Sequence, residues 1–262
     1  QIDNEVEAGF CCCDVCAEKF REWVKNKYGT LEAVNQAYHN DVWSGSYSAW
    51  SQIPAPVGNY PITQYNPAYL LDYQRFMSES TIDYVEFQAG ILREYFPDTP
   101  ITTNTWFCEH MPDFYKLFDK LDFCSYDNYP ATKLPEEGYY SHAFHLDLIR
   151  GVKRKNFWVM EQLSGTPGCW MPMAPTVRPG MIKGYGLQAI AHGADAVINF
   201  RFRSATCGAE MFWHGLIDHS NVPARRYAEF EELCRTVKAM RHMEGAVMQS
   251  EVALLCGFES EY

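Results

Sequence analysis

Two glutamates that follow apolar segments are the residues of this sequence best suited to acid–base and nucleophilic chemistry. Glu5 follows the opening stretch QIDN and Glu161 follows the apolar run FWVM, so each is predicted to end a strand. Burial shifts the pKa of such a carboxyl group, which is how enzymes tune acids, bases and nucleophiles. One glutamate of this kind is as often part of a structural ion pair. A pair suits a retaining glycosidase, which needs two carboxyl groups about 5–5.5 Å apart.

A cysteine cluster, CCCDVC, lies a few residues after Glu5. Cys11, Cys13 and Cys16 form a C-x-C-x₂-C pattern that is tight enough to surround one tetrahedral Zn²⁺. Cys12 is an alternative fourth ligand, although ligands on both sides make its geometry awkward. A site closed by thiolates has no open position, so a zinc here would be structural. The alternative is a set of reduced thiols without metal, and the spacing fits a thioredoxin-like redox motif poorly.

Alternating strands and helices are predicted along the chain to position these groups. After a strand that ends at Glu5, apolar segments predict strands at 100–106, 121–130, 156–162 and 195–203. Helical periodicity falls at 14–27, 66–96, 111–120, 138–153, 179–193 and 223–241. This order predicts an α/β fold with a parallel sheet covered by helices. Each strand finishes in polar or aromatic residues, which favours a (β/α)₈ TIM barrel over a doubly wound sheet.

Only five strands can be counted in this pattern, whereas a complete barrel has eight. We therefore expect residues 1–245 to form a partial TIM-barrel catalytic domain with strands 4–8, the N-terminal strands being missing from this chain. The pattern changes after about residue 245, where SEVALLCGFESEY predicts a new strand. Residues 246–262 are accordingly expected to begin a following domain.

Composition excludes two classes of partner. The formal net charge is -11, and a nucleic-acid partner would require a basic face. No run approaches 18 apolar residues, so no membrane span or membrane partner is expected. Most of the 10 cysteines are scattered singly through apolar segments, which is typical of reduced thiols and predicts a cytoplasmic protein.

Six linked segments give the chain a family resemblance. They are DNE with the cysteine cluster, SYDNYP, VMEQ, the region of Trp170, PGMIKGYGLQAIAHGADAVINFRFR and GAEMFWHGLIDH. Together, in this order, they resemble family 42 of the glycoside hydrolases, and the likeness runs over nearly the whole chain. The resemblance implies a β-galactosidase that works by double displacement, with catalytic groups on strands four and seven of a TIM barrel.

The resemblance also implies roles for individual residues. Glu5 matches the general acid/base and Glu161 matches the nucleophile. The residues that match substrate-binding positions are Asn4, Tyr129, Trp170, Glu210 and His214. Relatives bind a structural zinc through three cysteines that correspond to Cys11, Cys13 and Cys16, with a fourth from further upstream. No organic cofactor is implied, the substrate would be a galactoside or oligosaccharide, and the assembly would be a homotrimer.

Two other functions remain open at this point. One is a different retaining glycosidase of the same clan, such as a β-glucosidase or an α-L-arabinopyranosidase. The other is a non-enzymatic zinc-binding module centred on the cysteines. Metal analysis together with a panel of nitrophenyl glycosides would separate these functions. Arg201 and Arg203 alternate on the last predicted strand, and a structural role is favoured for both.

Overall fold

The computed structural model describes residues 1–9, 11–56, 64–107, 111–132, 135–169 and 173–260. The chain forms two compact units. The first comprises the described residues of Gln1–Glu5, Arg93–Phe107 and Phe118–Cys256. The second comprises those of Val6–Leu92, Cys108–Leu117 and Gly257–Tyr262.

A four-stranded parallel sheet is the framework of the first unit. Its strands are β1 (Asn104–Thr105), β2 (Ser125–Asn128), β3 (Phe157–Leu163) and β4 (Ala194–Phe200), and they lie in the order β1-β2-β3-β4. Every neighbouring pair is parallel. Parallel neighbours in sequence order, each joined by a helical crossover, are the repeating unit of a (β/α)₈ barrel. The predicted α/β barrel fold is therefore present as a partial barrel.

Helices alternate with these strands along the chain. They are α4 (Phe114–Asp119), α5 (Pro135–Lys153), α6 (Met181–Ala191) and α7 (Arg225–Ala239). Gly186 in α6 lies directly against Leu233 of α7, where a Cβ atom would clash, so glycine permits the close approach of these two helices. A buried cluster beside the sheet contains Leu163, Ile182 and Trp213.

Three helices build the second unit: α1 (Asp14–Tyr28), α2 (Leu31–Ala37) and α3 (Pro67–Tyr95), the last of which runs on into the first unit. Helix α1 ends at Gly29, whose φ of 78° suits a residue without a side chain. Helix α2 begins after Thr30, whose hydroxyl accepts a hydrogen bond from the Ala33 amide. Apolar and aromatic faces of the helices form one core, which includes Phe20, Val34 and Tyr73.

The structure differs from the sequence prediction at both ends of the chain. Residues 1–5 form a bend and not a regular strand, because Asp3 and Glu5 have φ values of 50° and 48°. The segment still adjoins the sheet, since the Ile2 amide donates to the Thr102 carbonyl at 2.8 Å. The strand predicted within 250–262 is not formed in 250–257, and a 3₁₀ turn follows at Phe258–Ser260. Among the described helices, none combines the length and apolar character needed to cross a lipid bilayer.

Candidate active site

The strand register brings two carboxyl groups side by side. Asp127 on β2 pairs with Glu161 on β3, next to an irregularity in the ladder between Tyr126 and Asp127. Register partners on adjacent strands project to the same side of a sheet. The irregularity therefore decides which residue of β2 lies beside Glu161, and Asp127 is only 1% exposed there.

Asn104, at the start of β1 and fully buried, holds the Glu5 segment against this pair. Its Oδ1 accepts hydrogen bonds from the Glu5 amide at 3.2 Å and from Gln1 Nε2 at 2.6 Å. Its Nδ2 donates to Asn4 Oδ1 at 3.0 Å and to Asp127 Oδ2 at 2.5 Å. One amide side chain thus links the N-terminal bend to β2. The left-handed backbone of Glu5 is stabilised by the amide hydrogen bond to Asn104.

Three carboxyl groups meet at this point. One oxygen each from Glu5, Asp127 and Glu161 lies within 4.8 Å of the others. This separation is closer to the spacing of about 5–5.5 Å in retaining glycosidases than to that in inverting ones. Inverting enzymes keep their carboxyl groups about 6.5–9.5 Å apart to admit a water. The geometry of Glu5 and Glu161 therefore fits direct attack on the sugar by one carboxylate.

Burial and neighbouring charge raise the pKa of Asp127 to about 9, with burial as the larger cause. The nearby carboxyl groups of Glu161 and Glu5 raise the pKa further, and the hydrogen bond from Asn104 opposes them. These effects favour the protonated form of Asp127. Its Oδ1 is buried and accepts no hydrogen bond from the described protein atoms.

Several neighbours shift the pKa of the Glu161 carboxyl group. Burial raises its pKa, while the hydrogen bond from the Tyr129 hydroxyl to Oε2 lowers it. The charge of Glu210 raises the pKa and that of Arg201 lowers it. Tyr129 is itself buried beside Glu161, which raises its pKa above the ordinary value, so it keeps its proton and remains a donor. Its ring packs edge-on against Trp213, with centroids 4.9 Å apart.

The segment that carries Glu210 and His214 lies beside the Glu161 strand end. The His214 backbone amide donates to the Thr166 carbonyl at 3.0 Å. Glu210 forms an ion pair with Arg201 at the end of β4. The His214 ring is oriented by Asp218, with 3.0 Å between Nδ1 and Oδ1. Arg201 is therefore the ion-pair partner of Glu210.

Most of the predicted site residues are gathered in this region. Asn4 contacts Glu5 through Nδ2 and Oε2 at 3.4 Å, and Tyr129 contacts Glu161 directly. Glu210 is close enough to act on the pKa of Glu161. His214 shares the Glu210 segment, whereas Trp170 lies outside the described residues.

Asp127 and Asn104 belong to the site but were not among the residues predicted from sequence. Both lie in segments whose polar strand ends had been noted, SYDNYP for Asp127 and ITTNTW for Asn104. The sequence signal was therefore a polar residue within an apolar strand. That signal cannot show which face of the sheet the residue occupies.

The cysteine cluster lies in the second unit. The sulfur atoms of Cys11, Cys13 and Cys16 are all within 4.8 Å of one another. Zn–S bonds of about 2.3 Å in a tetrahedron place sulfurs about 3.8 Å apart, so the three residues fit a zinc ion. Cys12 turns away, with its Sγ 2.5 Å from the Pro56 carbonyl oxygen. Within the part of the chain that the structure describes, no fourth His, Cys, Asp or Glu joins the group.

The protonation of the cysteines is consistent with a cation at this point. The Cys16 amide donates to Cys13 Sγ at the start of α1, which lowers the pKa of Cys13. Burial and the neighbouring sulfurs of Cys11 and Cys13 raise the pKa of Cys16 to about 12. Three adjacent thiolates repel one another, and a divalent cation would offset that repulsion.

The family model described as β-galactosidase, glycoside hydrolase family 42, matches residues 1–240. This chain belongs to glycoside hydrolase family 42. β-Galactosidase BgaA of Clostridium cellulovorans is 58% identical over 265 residues, which cover 100% of this chain and 40% of that protein. The crystal structure of the cold-adapted β-galactosidase from Rahnella sp. R3 matches with a TM-score of 0.88 at 32% identity. A catalytic mutant of Gan42B, a family 42 β-galactosidase from G. stearothermophilus, matches with a TM-score of 0.87 at 33% identity.

This family 42 chain matches only part of the length of these relatives. It spans about two-fifths of the length of the curated relatives it matches, 40% for the Clostridium protein and 42% for a Thermus relative. In the two solved structures, the matched region covers 98% of this chain and 38% or 39% of the other.

Proposed function

We propose that the protein carrying this family 42 chain hydrolyses terminal β-D-galactosides with retention of configuration. Glu161 is assigned as the nucleophile and Glu5 as the general acid/base. The observation that carries the proposal is the approach of these two carboxyl groups to within 4.8 Å, at the ends of different chain segments. The relatives are named as β-galactosidases, which supports galactose as the sugar.

In the first step, a Glu161 oxygen attacks the anomeric carbon while the bond from that carbon to the leaving oxygen breaks. Glu5 transfers its proton to the departing oxygen, which leaves as an alcohol. The electron pair of the broken bond stays on that oxygen. The products are a galactosyl ester of Glu161 and an ionised Glu5.

In the second step, Glu5 accepts a proton from water as the water oxygen attacks the anomeric carbon. The ester bond to Glu161 breaks and its electron pair returns to the carboxylate, which releases galactose. Glu5 is protonated again at the end of the cycle. Two inversions at the same carbon give net retention.

The neighbours of the two glutamates support these roles. Tyr129 stabilises the ionised form of Glu161 by donating a hydrogen bond, which suits a nucleophile. Asn4 lies beside Glu5, where its amide can donate to the sugar 2-hydroxyl as positive charge develops on the ring. Glu210 is assigned to the galactose hydroxyls, with Arg201 fixing its carboxyl group. His214 and Trp170 keep their predicted substrate-binding roles.

A structural zinc is proposed at Cys11, Cys13 and Cys16, where the sulfur atoms converge. A bound zinc would supply no chemistry to the galactoside and would cross-link the segment before α1. The homotrimeric assembly and the cytoplasmic location also stay predictions. A same-clan β-glucosidase or α-L-arabinopyranosidase is the alternative substrate assignment.

The test uses the natural protein that contains these residues and a panel of nitrophenyl glycosides. The β-galactoside should be hydrolysed fastest. Glu161→Gln should reduce kcat by about a thousandfold or more, in the range for loss of a nucleophile. Glu7→Gln is the matched control, because Glu7 is an exposed carboxylate two positions from Glu5. Full activity of the Glu161→Gln protein, or faster hydrolysis of a different glycoside by the parent, would contradict the assignment.

The acid/base role of Glu5 has its own test. Glu5→Gln should lose more activity on substrates with poor leaving groups than on dinitrophenyl galactoside, which needs little protonation. Added azide requires no general base, so it should restore turnover and give β-galactosyl azide. Equal losses on all leaving groups, with no response to azide, would remove Glu5 from this role.

A further inference from the structure

We propose that Asp127 keeps a proton through the reaction and donates it in a hydrogen bond to the Glu5 carboxyl group. Asp127 would then be a positioning residue that acts through the acid/base and makes no contact with the sugar. The inference rests on the proposed function, because Glu5 must be the acid/base for this hydrogen bond to affect turnover.

The hydrogen bonds around Asp127 leave room for a proton on one of its oxygens. Asn104 Nδ2 donates to Oδ2 of Asp127 at 2.5 Å. Oδ1 is buried and receives no donor from the described protein atoms. Glu5 is within hydrogen-bonding reach of Asp127. Two ionised carboxylates are both acceptors. Once Glu5 has given its proton to the leaving group, its contact with Asp127 is therefore a hydrogen bond only if Asp127 carries a proton.

Charge leads to the same conclusion. Among the described residues, the charged and titratable groups near Asp127 are Glu5 from the N-terminal bend, Glu161 from β3, Tyr126 on β2 and Tyr129 beyond the end of β2. Glu210 and Arg201, which both act on Glu161, form an ion pair with each other. Three ionised carboxylates within 4.8 Å of one another would repel strongly, and protonation of one of them relieves this repulsion.

Asp127 is the member of the trio best suited to keep the proton. It is 1% exposed, whereas Glu5 and Glu161 are half-buried. Glu5 exchanges its proton in each step and Glu161 becomes an ester, so neither can hold a proton permanently. A permanent donor on Asp127 would fix one Glu5 oxygen and leave the other to serve the leaving group and then water.

Asparagine reproduces the proposed state of Asp127, because its oxygen can accept from Asn104 and its NH₂ can donate to Glu5. Asp127→Asn should therefore keep kcat/KM within about fivefold of the parent on all galactosides. Asp127→Ala removes the donor. It should lose about 10- to 100-fold on nitrophenyl galactoside, the range for one hydrogen bond to a charged group, and clearly less on dinitrophenyl galactoside. A purely structural role would lower both rates equally.

The pH profile separates a protonated from an ionised Asp127. If Asp127 is already neutral, the alkaline limb of kcat/KM should stay in place in Asp127→Asn. If Asp127 were ionised, the substitution would remove a negative charge beside Glu5 and move that limb to lower pH. That shift, or equal losses in the Asn and Ala variants, would overturn the proposal.

Infrared spectroscopy tests the proton without relying on activity. Glu5 is also protonated in the resting protein, so Glu5→Gln serves as the reference. The parent at neutral pH should show the carbonyl stretches of protonated carboxylic acids, and the component that remains in Glu5→Gln should be missing from folded Asp127→Asn. An unchanged band in that variant would overturn the proposal. A parent with no galactosidase activity would refute the proposed function instead, while the infrared band would still report on Asp127.

Discussion

The hydroxyl group of Tyr129 donates a hydrogen bond to Oε2 of Glu161, the carboxyl group assigned as the nucleophile. The tyrosine follows β2 and the glutamate lies on β3, so the contact depends on the pairing of these neighbouring strands. Packing of the tyrosine ring against Trp213 fixes its direction. The carboxylate is thereby stabilised in its ionised form, against the effect of burial.

Replacement of Tyr129 by phenylalanine should slow the reaction and shift its pH dependence. Loss of one hydrogen bond to a charged group corresponds to about 10- to 100-fold in kcat/KM. This hydrogen bond lowers the pKa of Glu161, so its removal raises that pKa and moves the acid limb of the profile to higher pH. A profile of kcat/KM against pH on nitrophenyl galactoside provides the measurement. An unmoved acid limb would contradict the role of the tyrosine.

Glu210→Gln should shift the acid limb of the pH profile of kcat/KM in the direction opposite to that expected for the Tyr129 substitution. Glu210 raises the pKa of Glu161, and its removal leaves Arg201, whose charge lowers that pKa. The acid limb should therefore move to lower pH. KM should also rise, because Glu210 is assigned to the galactose hydroxyls. A shift to higher pH, measured under the same conditions, would refute this arrangement of charges.

The effect of a cysteine substitution on zinc content should depend on whether the sulfur atom points into the cluster or away from it. Cys13→Ser removes one of the three converging sulfurs and should lower the bound zinc measured by elemental analysis. Cys12→Ser is the matched control, because its sulfur lies against the Pro56 carbonyl and should leave zinc content unchanged. Equal zinc content in both variants and the parent, or none in the parent, would argue against the site.

A buried carboxylate in the second unit forms the centre of a charged network. Asp72 is 1% exposed and accepts hydrogen bonds from Lys27, Tyr28, Tyr38 and Arg75 at 2.5, 2.7, 3.0 and 3.0 Å. Burial alone would raise the pKa of Asp72. These partners, with Lys27 first, instead hold it below its usual value.

Asp72→Asn should lower the free energy of unfolding by about 2 kcal/mol. This is less than for a fully buried pair, because Lys27 and Arg75 are partly solvated. Since the folded pKa is lowered, this stabilisation is present above the unfolded pKa of about 3.9 and is lost as the pH falls below it. Urea unfolding should be measured at neutral pH and below about pH 4. The difference in free energy of unfolding between the parent and Asp72→Asn should be smaller at the acidic pH. Glu22→Gln, in the exposed pair with Lys19, is the control and should change stability by less than about 1 kcal/mol.

The parallel sheet and its helices could be predicted because apolar strands and amphipathic helices differ in period. The helix at 66–96 was predicted within one residue of α3 (Pro67–Tyr95), and Glu161 was placed on its strand. The glutamates were recognisable because a charged residue stands out after an apolar run. The family of the chain followed from six motifs in order.

The role of Asp127 could not be predicted in the same way. Its place beside Glu161 depends on an irregular register between β2 and β3, and a shift of one residue would turn the other face toward Glu161. The bend at Asp3 and Glu5 likewise depends on Asn104, about 100 residues away in sequence, which accepts from the Glu5 amide. Such contacts arise from tertiary packing and leave no periodic signal.

Chemical labelling of the nucleophile tests the assignment of Glu161 to that role. A galactoside with fluorine at C2 and a good leaving group slows both steps, and the second step more, so the covalent intermediate accumulates. Mass spectrometry of the digested natural protein should find one fluorogalactosyl group on Glu161. Attachment to Glu5 or Asp127, or continued turnover without a covalent adduct, would contradict the account.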